Sequence, residues 1–488
     1  MARGRSILGI AVSLILITVA LLGQSVTTPA SIPGKIDDLV QKYVELEQFN
    51  GSILVAQGDG VILKKGYGMA NFEWSIPNTP DTRFRLGSVT KQFTSMLIMQ
   101  LVEEGKLSLD DKLADRLPYY RKETGSKVTI HQLLNHTSGI PSYTDIPNFM
   151  RDRSRLPLPL RELVTTHCSG DLGFEPGSKF AYNNSGYVIL GAVIEHITGK
   201  TYELVLKERI LDPAGMKATG YDHSEPLISR RAAGYQNGLD GVRNSDFLDM
   251  SLPHAAGALY STVEDLHLWD QALYGTKLLS EADKKKLFTP GLSNYAYGWI
   301  VRKAPVGRDK AERTVIQHGG GINGFNTLIV RIPEDRTLVV LLNNTGGAPL
   351  NSISQGVGDI LYGREPQPPK RSIARVLQAT IREKGVEAAL AQYREIKGKN
   401  TQGYELGEGE LNQLGYSLLG SGRVDDAITV FKLNVESFPK SSNPYDSLGE
   451  AYATKGEKEL AIKNYARSIE LNPANVNGIK RLQDLAKK

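Results

Sequence analysis

The sequence predicts an α+β domain, an antiparallel sheet flanked by helices with a helical subdomain, followed by an all-α tail. Three observations carry this. Strand-like runs stand near residues 51–67 and again at 314–342, with helix and loop patterns between them. The composition then changes at Glu365-Pro366-Gln367-Pro368-Pro369-Lys370. Beyond that run the chain reads as helix throughout and repeats itself.

The first residues read as a targeting segment. Arg3 and Arg5 precede an apolar run over residues 7–23, broken only by Ser13 and Thr18. A basic end followed by such a run is a secretory signal or an uncleaved membrane anchor, which places the protein in a secreted, periplasmic or membrane-anchored setting. Residues 51–57 and 61–67 read as two strands joined by the turn Gly58-Asp59-Gly60. Residues 89–105 place Phe93, Met96, Leu97, Leu101 and Val102 at helical spacing, with Gly105 as a stop. Residues 314–317, 326–332 and 337–342 read as strands, the last two joined through Pro333-Glu334-Asp335-Arg336. Strands from both ends of the region pack most simply side by side in one antiparallel sheet, with a helix against it.

In the tail, Leu414-Gly415 recurs as Leu448-Gly449, Gly422 as Gly456, Ala427-Ile428 as Ala461-Ile462, Phe431 as Tyr465 and Pro439 as Pro473. Every shift is 34 residues. Small residues allow close helix approach, aromatics fill the neighbouring groove, and proline ends the second helix. The pattern resembles the tetratricopeptide repeat. It spans residues 411–477, with a decayed copy at 385–393. The expected division is therefore 1–30 signal or anchor, 31–364 the α+β domain, 365–372 linker and 373–488 helical repeat domain.

Composition excludes several classes. Among 488 residues, 40% are hydrophobic and 23% charged, which excludes a wholly disordered or fibrous chain. A net charge of +5, spread along the sequence, gives no basic stripe, and no nucleic acid partner is expected. The single cysteine, Cys168, forms no intramolecular disulfide and no metal framework. No cofactor or metal is expected.

Three short patterns carry chemistry. Ser88-Val89-Thr90-Lys91 puts an alcohol and an amine on one face at a helix start. A partly desolvated lysine can take the serine proton, and the helix N-terminus favours a developing oxyanion. Ser437-Phe438-Pro439-Lys440 has the same spacing inside the repeats. Tyr182-Asn183-Asn184 offers a phenol for proton relay and an amide to hold the lysine and the substrate, and Tyr235-Gln236-Asn237 imitates it. His318-Gly319-Gly320-Gly321 directly follows a strand, where glycines let a substrate approach its edge. No Gly-x-Ser-x-Gly elbow and no phosphate-loop lysine accompany these patterns.

In this order the three patterns resemble the penicillin-recognising serine hydrolases, and most closely the class C β-lactamase and D-alanyl-D-alanine carboxypeptidase branch. Flanking words agree: Phe84-Arg85-Leu86-Gly87, Leu133-Leu134-Asn135-His136-Thr137-Ser138-Gly139, Glu175-Pro176-Gly177 and Tyr297-Gly298-Trp299. The resemblance covers residues 35–363 and implies the β-lactamase/DD-peptidase fold. It implies Ser88 as the acylated nucleophile, with Lys91 and Tyr182 sharing base and acid work. It implies that Asn184 orients Lys91 and binds the substrate amide. His318, Gly319, Gly320 and Gly321 would line the substrate, with Ser88 and Gly321 N–H groups forming the oxyanion hole. Histidine stands where class C β-lactamases carry lysine, which weakens a carboxylate site and favours peptidase, D-aminopeptidase or esterase members. Glu408-Gly409-Glu410-Leu411-Asn412 imitates a class A deacylation motif but falls in the tail.

The expected function is hydrolysis of a small amide or ester through acyl-Ser88, with a D-alanyl peptide as candidate substrate. Two readings stay beside it. One is a promiscuous esterase or weak β-lactamase. The other is a non-catalytic penicillin-binding sensor that recruits a protein or peptide partner through its repeats.

Overall fold

The computed structural model describes residue 1, residues 31–399 and residues 402–487. Apart from Met1, the expected signal or anchor segment lies outside the described residues. Among the described residues no helix is long and apolar enough to cross a membrane.

Two-residue alternation decides the layering. Helix α1 (Ile32–Glu45) leads into strands β1 (Gly51–Gln57) and β2 (Gly60–Tyr67). Helix α2 (Thr90–Glu103) follows, then α3 (Asn184–Thr198), the hairpin strands β3 (Tyr235–Gly238) and β4 (Gly241–Asn244), and the short helix α4 (His254–Gly257). Strands β5 (Ile300–Val306), β6 (Ala311–Ile322), β7 (Phe325–Ile332) and β8 (Thr337–Asn343) then complete the main sheet. The two-residue strand β9 (Thr345–Gly346) and helix α5 (Leu350–Leu361) end this region.

The six-stranded sheet runs β5-β6-β7-β8-β1-β2, antiparallel at every pairing. Its first and last segments do lie side by side: Ile53 faces Leu341 and Val55 faces Val339 across β1 and β8. Ile53, Val55, Val339 and Leu341 turn to one face and pack with Ile36, Val40, Ile353 and Val357 of α1 and α5. Leu54, Ala56, Leu338, Val340 and Leu342 turn to the other and join the core built on Phe93, Met96 and Leu97. Because both faces are covered, the central strands read as continuous apolar runs rather than as alternation.

Helices α2 and α3 are buried almost all round, and such a helix forms a core rather than a rim. They form the centre of the helical layer, with Phe93 stacked on Trp269 at 4.4 Å. The expected helix over 89–105 is α2, entered through a 3-10 turn at Gly87–Val89. One expectation needs correction. His318-Gly319-Gly320-Gly321 does not follow its strand but lies inside β6, where His318 pairs with Ile329 and Gly321 with Asn326. Pairing with β7 extends the strand through residues whose composition alone suggests a turn.

Residues 364–370 have no regular structure, whereas Arg371 and Ser372, expected as linker, pair with Tyr404 and Glu405. The tail consists of α6 (Ile373–Lys384), α7 (Val386–Gly398), α8 (Glu408–Gly420), α9 (Val424–Ser437), α10 (Asn443–Lys455), α11 (Lys458–Leu471) and α12 (Val476–Lys487). Pairs α8–α9 and α10–α11 are the two repeats read from the sequence, and α6–α7 stands where the decayed copy was expected. Glu410, from the class A look-alike, caps α6: its carboxylate accepts from Ser372 and from the Ala374 N–H.

Candidate active site

Ser88 sits in the 3-10 turn that opens α2. Gly87, at φ 55°, takes the left-handed conformation this turn requires, and a methyl there would lie 2.9 Å from the Gly321 nitrogen. One turn further, Lys91 is completely buried. Its Nζ lies 3.0 Å from Ser88 Oγ, 2.9 Å from Asn184 Oδ1 and 2.9 Å from the Ala256 carbonyl oxygen. The last two atoms can only accept. A neutral lysine therefore spends both N–H bonds on Asn184 and Ala256 and turns its lone pair to the Ser88 hydroxyl. Burial drives Lys91 towards that neutral state, holding its pKa well below the usual lysine value.

Tyr182 stands on the other side of Ser88, near enough for the serine hydroxyl to act on its phenol. The Lys91 ammonium position is 4.9 Å from the Tyr182 ring centre. Although 41% of the residue faces solvent, the surroundings of its hydroxyl are crowded. Desolvation pushes its pKa up, against a smaller lowering by Ser88, so the phenol keeps its proton. His136 holds this segment. Its carbonyl accepts from the Ala181 N–H at 2.9 Å, its Nδ1 accepts from the Asn183 N–H at 3.1 Å, and its ring packs 4.4 Å from that of Tyr182. Asn183 then caps α3 by accepting from the Gly186 N–H, which delivers Asn184 to Lys91. Asn184 also donates to Thr144 Oγ1 at 3.3 Å.

His318 reaches the same cluster from the sheet, its ring centre 6.3 Å from that of Tyr182. It is 4% exposed. Its Nδ1 lies 2.6 Å from the Gly319 carbonyl, which can only accept, so Nδ1 carries the proton. Nε2 then accepts from the Tyr295 hydroxyl at 2.9 Å. Burial lowers the His318 pKa to about 4. The imidazole is neutral near pH 7, with both nitrogens engaged inside the protein. Of the three glycines, Gly319 supplies that carbonyl. Gly320 presses on the turn below, since a Cβ there would sit 1.9 Å from the Leu86 carbonyl oxygen. Only Gly321 has open space at its Cβ position.

Ser88, Asn184 and Gly321 line a cleft of about 130 Å³, walled by Tyr143, Met150, Leu248, Leu252 and Ile322. Among the described residues lining it, none is charged. Thus Ser88, Lys91, Tyr182 and Asn184 meet at the cleft with Gly321, and His318, Gly319 and Gly320 back them from the sheet, while the look-alikes stand elsewhere. Tyr235 hydrogen-bonds Glu73, and Ser437 ends α9 in the tail. The word Ala256-Gly257-Ala258-Leu259-Tyr260-Ser261-Thr262 also matches the family, but sequence reading gave no role to the Ala256 carbonyl, which carries no side-chain signal, nor to Tyr295, which lies just outside the word Tyr297-Gly298-Trp299. His136 was present in a quoted word, but its hold on Tyr182 is visible only in three dimensions.

Comparison with known proteins gives the same picture. Residues 36–355 match the family model described as Beta-lactamase, and residues 443–475 match a tetratricopeptide repeat. Penicillin-binding protein 4* of Bacillus subtilis (strain 168) is 29% identical over 369 residues, covering 69% of this chain and 77% of that protein. The teichoic acid D-alanine hydrolase of Staphylococcus aureus is 28% identical over 344 residues, covering 67% and 78%. The D-amino acid amidase from Ochrobactrum anthropi SV3, in complex with L-phenylalanine amide, superposes with a TM-score of 0.59 at 26% identity, covering 68% of this chain and 97% of that one.

Proposed function

From the premise that this chain belongs to the β-lactamase family and is a serine hydrolase, we propose that it cleaves a small amide or ester with no carboxylate beside the scissile bond. D-Alanyl esters and D-amino amides are the leading class. Ser88 Oγ gives its proton to neutral Lys91 and attacks the substrate carbonyl. The oxyanion is held by the N–H groups of Ser88 and Gly321. Tyr182, which burial keeps protonated, passes a proton to the leaving oxygen or nitrogen. Water then attacks the acyl carbon, giving its proton to the Tyr182 phenolate, while the Lys91 ammonium returns its proton to the departing Ser88 Oγ, which restores all three groups.

The observation that carries the substrate class is the uncharged cleft beside a neutral His318. A peptide ending in a free carboxylate would leave that charge without a cation, and an unpaired charge is costly to desolvate. The names of the hydrolase and the amidase above point to the same class. The test is a panel of a D-alanyl ester, a D-alanyl amide, a D-alanyl-D-alanine peptide and a chromogenic cephalosporin. Ester and amide should exceed the carboxylate-ending peptide in kcat/KM by about tenfold or more, one lost charge-assisted contact. Turnover should vanish in Ser88→Ala. A preference for the free carboxylate would overturn the substrate class. An acyl-enzyme that forms but never turns over would favour the sensor reading.

The basic-flanked apolar run at residues 7–23 supports a location outside the cytoplasm, by secretion or anchoring. Localisation of a full-length fusion in fractionated cells tests it. The repeats support a protein or peptide partner for the tail.

A further inference from the structure

Helix α6 grips the β3–β4 hairpin. Arg375 pairs with Glu47 at 2.7 Å and donates to Asn237 Oδ1 at 2.6 Å. Gln378 donates to Asp240 Oδ1 at 2.8 Å, and Arg382 pairs with the same carboxylate. Between these two points Leu239, at the hairpin tip, packs against the apolar core of the tail. The hairpin is anchored at its base, where the Tyr235 hydroxyl accepts from the Phe72 N–H and bonds Glu73 and the Tyr235 N–H donates to the Asn344 carbonyl, while its outer strand, Gly241–Asn244, is largely exposed. A two-stranded hairpin is marginal alone.

The same hairpin runs into the substrate cleft. Ser245 N–H bonds the Gly234 carbonyl, closing its base, and Asn323 donates to the Asp246 carbonyl at 2.9 Å. Asn323 lines the cleft, as do Leu248 and Leu252, a few residues further on. One wall of the cleft is thus the direct continuation of a loop whose tip is embedded in the tail.

We propose that α6 is a specificity-positioning element: by clamping Asn237, Leu239 and Asp240 it sets the wall formed by Leu248, Leu252 and Asn323, and so the size of acyl group that reaches Ser88. This rests on the serine hydrolase reading only for its kinetic readout. The wall meets the substrate and the chemistry lies on Ser88, Lys91 and Tyr182. Loosening the clamp therefore acts on KM for bulky acyl groups and spares kcat for small ones.

The experiment uses the full chain and Asp240→Ala, with Leu239→Ser as an independent variant. Acetyl and bulky aromatic acyl esters of one alcohol are compared. For Asp240→Ala, KM for the bulky ester should change by about tenfold, within the range that misplaced positioning groups produce, while kcat for the acetyl ester stays at the wild-type value. Amide hydrogen exchange over residues 241–252 should accelerate in both variants while exchange in α2 is unchanged. Unaltered exchange over 241–252 overturns the clamp, whatever the chemistry. Faster exchange with the same size preference overturns the specificity role. A wild-type chain that hydrolyses neither ester but exchanges as expected counts against the serine hydrolase reading and leaves the clamp standing.

Discussion

In the region up to α5, Lys91, His136, His318 and the Arg331–Asp270 pair are all sealed from solvent. In the tail the buried side chains are apolar, small or uncharged, and among the described residues no charged one is buried. Close approach differs in the same way. In the tail, Gly415 faces the Phe431 ring, and 34 residues later Gly449 faces Tyr465. In the catalytic region, Gly320 abuts the Leu86 carbonyl and Gly87 abuts Gly321, backbone on backbone and at no fixed interval. A stack of repeats satisfies each unit by its neighbour, so one contact serves many times. A catalytic cluster holds costly groups in place by contacts between segments far apart in sequence, which follow no period.

Removing the catalytic amine should have the largest effect. Lys91→Met is expected to slow acylation by a reactive penicillin about 10²- to 10⁴-fold, the usual span for general acid–base catalysis. Time courses of fluorescent-penicillin labelling measure it, and a near-normal rate would move the base elsewhere. Next is Asp270→Ala, which leaves Arg331, 2% exposed, without its partner. It should cost about 3–5 kcal/mol in urea unfolding, whereas no single exposed tail pair should approach that.

Acid should expose the contrast third. The His318 pKa falls from 6.5 to about 4 on folding, so between these values the unfolded chain binds the proton more readily. The stabilisation is complete above about pH 6.5 and is lost as pH falls towards 4, with a total of about 3 kcal/mol. His136 is shifted in the same direction by burial, so it adds to the loss. Urea midpoints at pH 7 and pH 5 should lie closer together in His318→Gln than in the wild type.

Within the tail, Gly415→Ala puts a methyl 2.4 Å from the Phe431 ring and should cost about 1–3 kcal/mol. Gly449→Ala meets Tyr465 at 3.1 Å and should cost less, because that approach is less tight. Equal costs would mean that the two repeats are packed alike. The smallest effect is expected for Arg394→Ala, whose pair with Glu436 is more than half exposed on both sides. It should leave the unfolding midpoint unchanged within error.

Legibility followed the same divide. The two repeats could be read because their contacts recur at a fixed interval, and the central strands because both faces are apolar. The edge strand β5 was missed, since Arg302, Lys303 and Pro305 interrupt any apolar pattern. The covering helices α1 and α5 gave no distinctive motif. Tyr182-Asn183-Asn184 and Tyr235-Gln236-Asn237 cannot be told apart by spacing. What separates them is His136, 46 positions before Tyr182 in sequence and packed against its ring.

Contacts within one helix or between neighbouring helices are short-range consequences of spacing. For that reason the pairing of Ser88 with Lys91 and the 34-residue period of the tail belong to the sequence alone. Charge state and cleft shape do not. The lowered pKa values of Lys91 and His318 come from desolvation, which distant segments create together. By the clamp proposed above, the wall residues Leu248 and Leu252 depend on a tail helix more than a hundred positions beyond them, since chain distance says nothing about which groups share a solvent-free space.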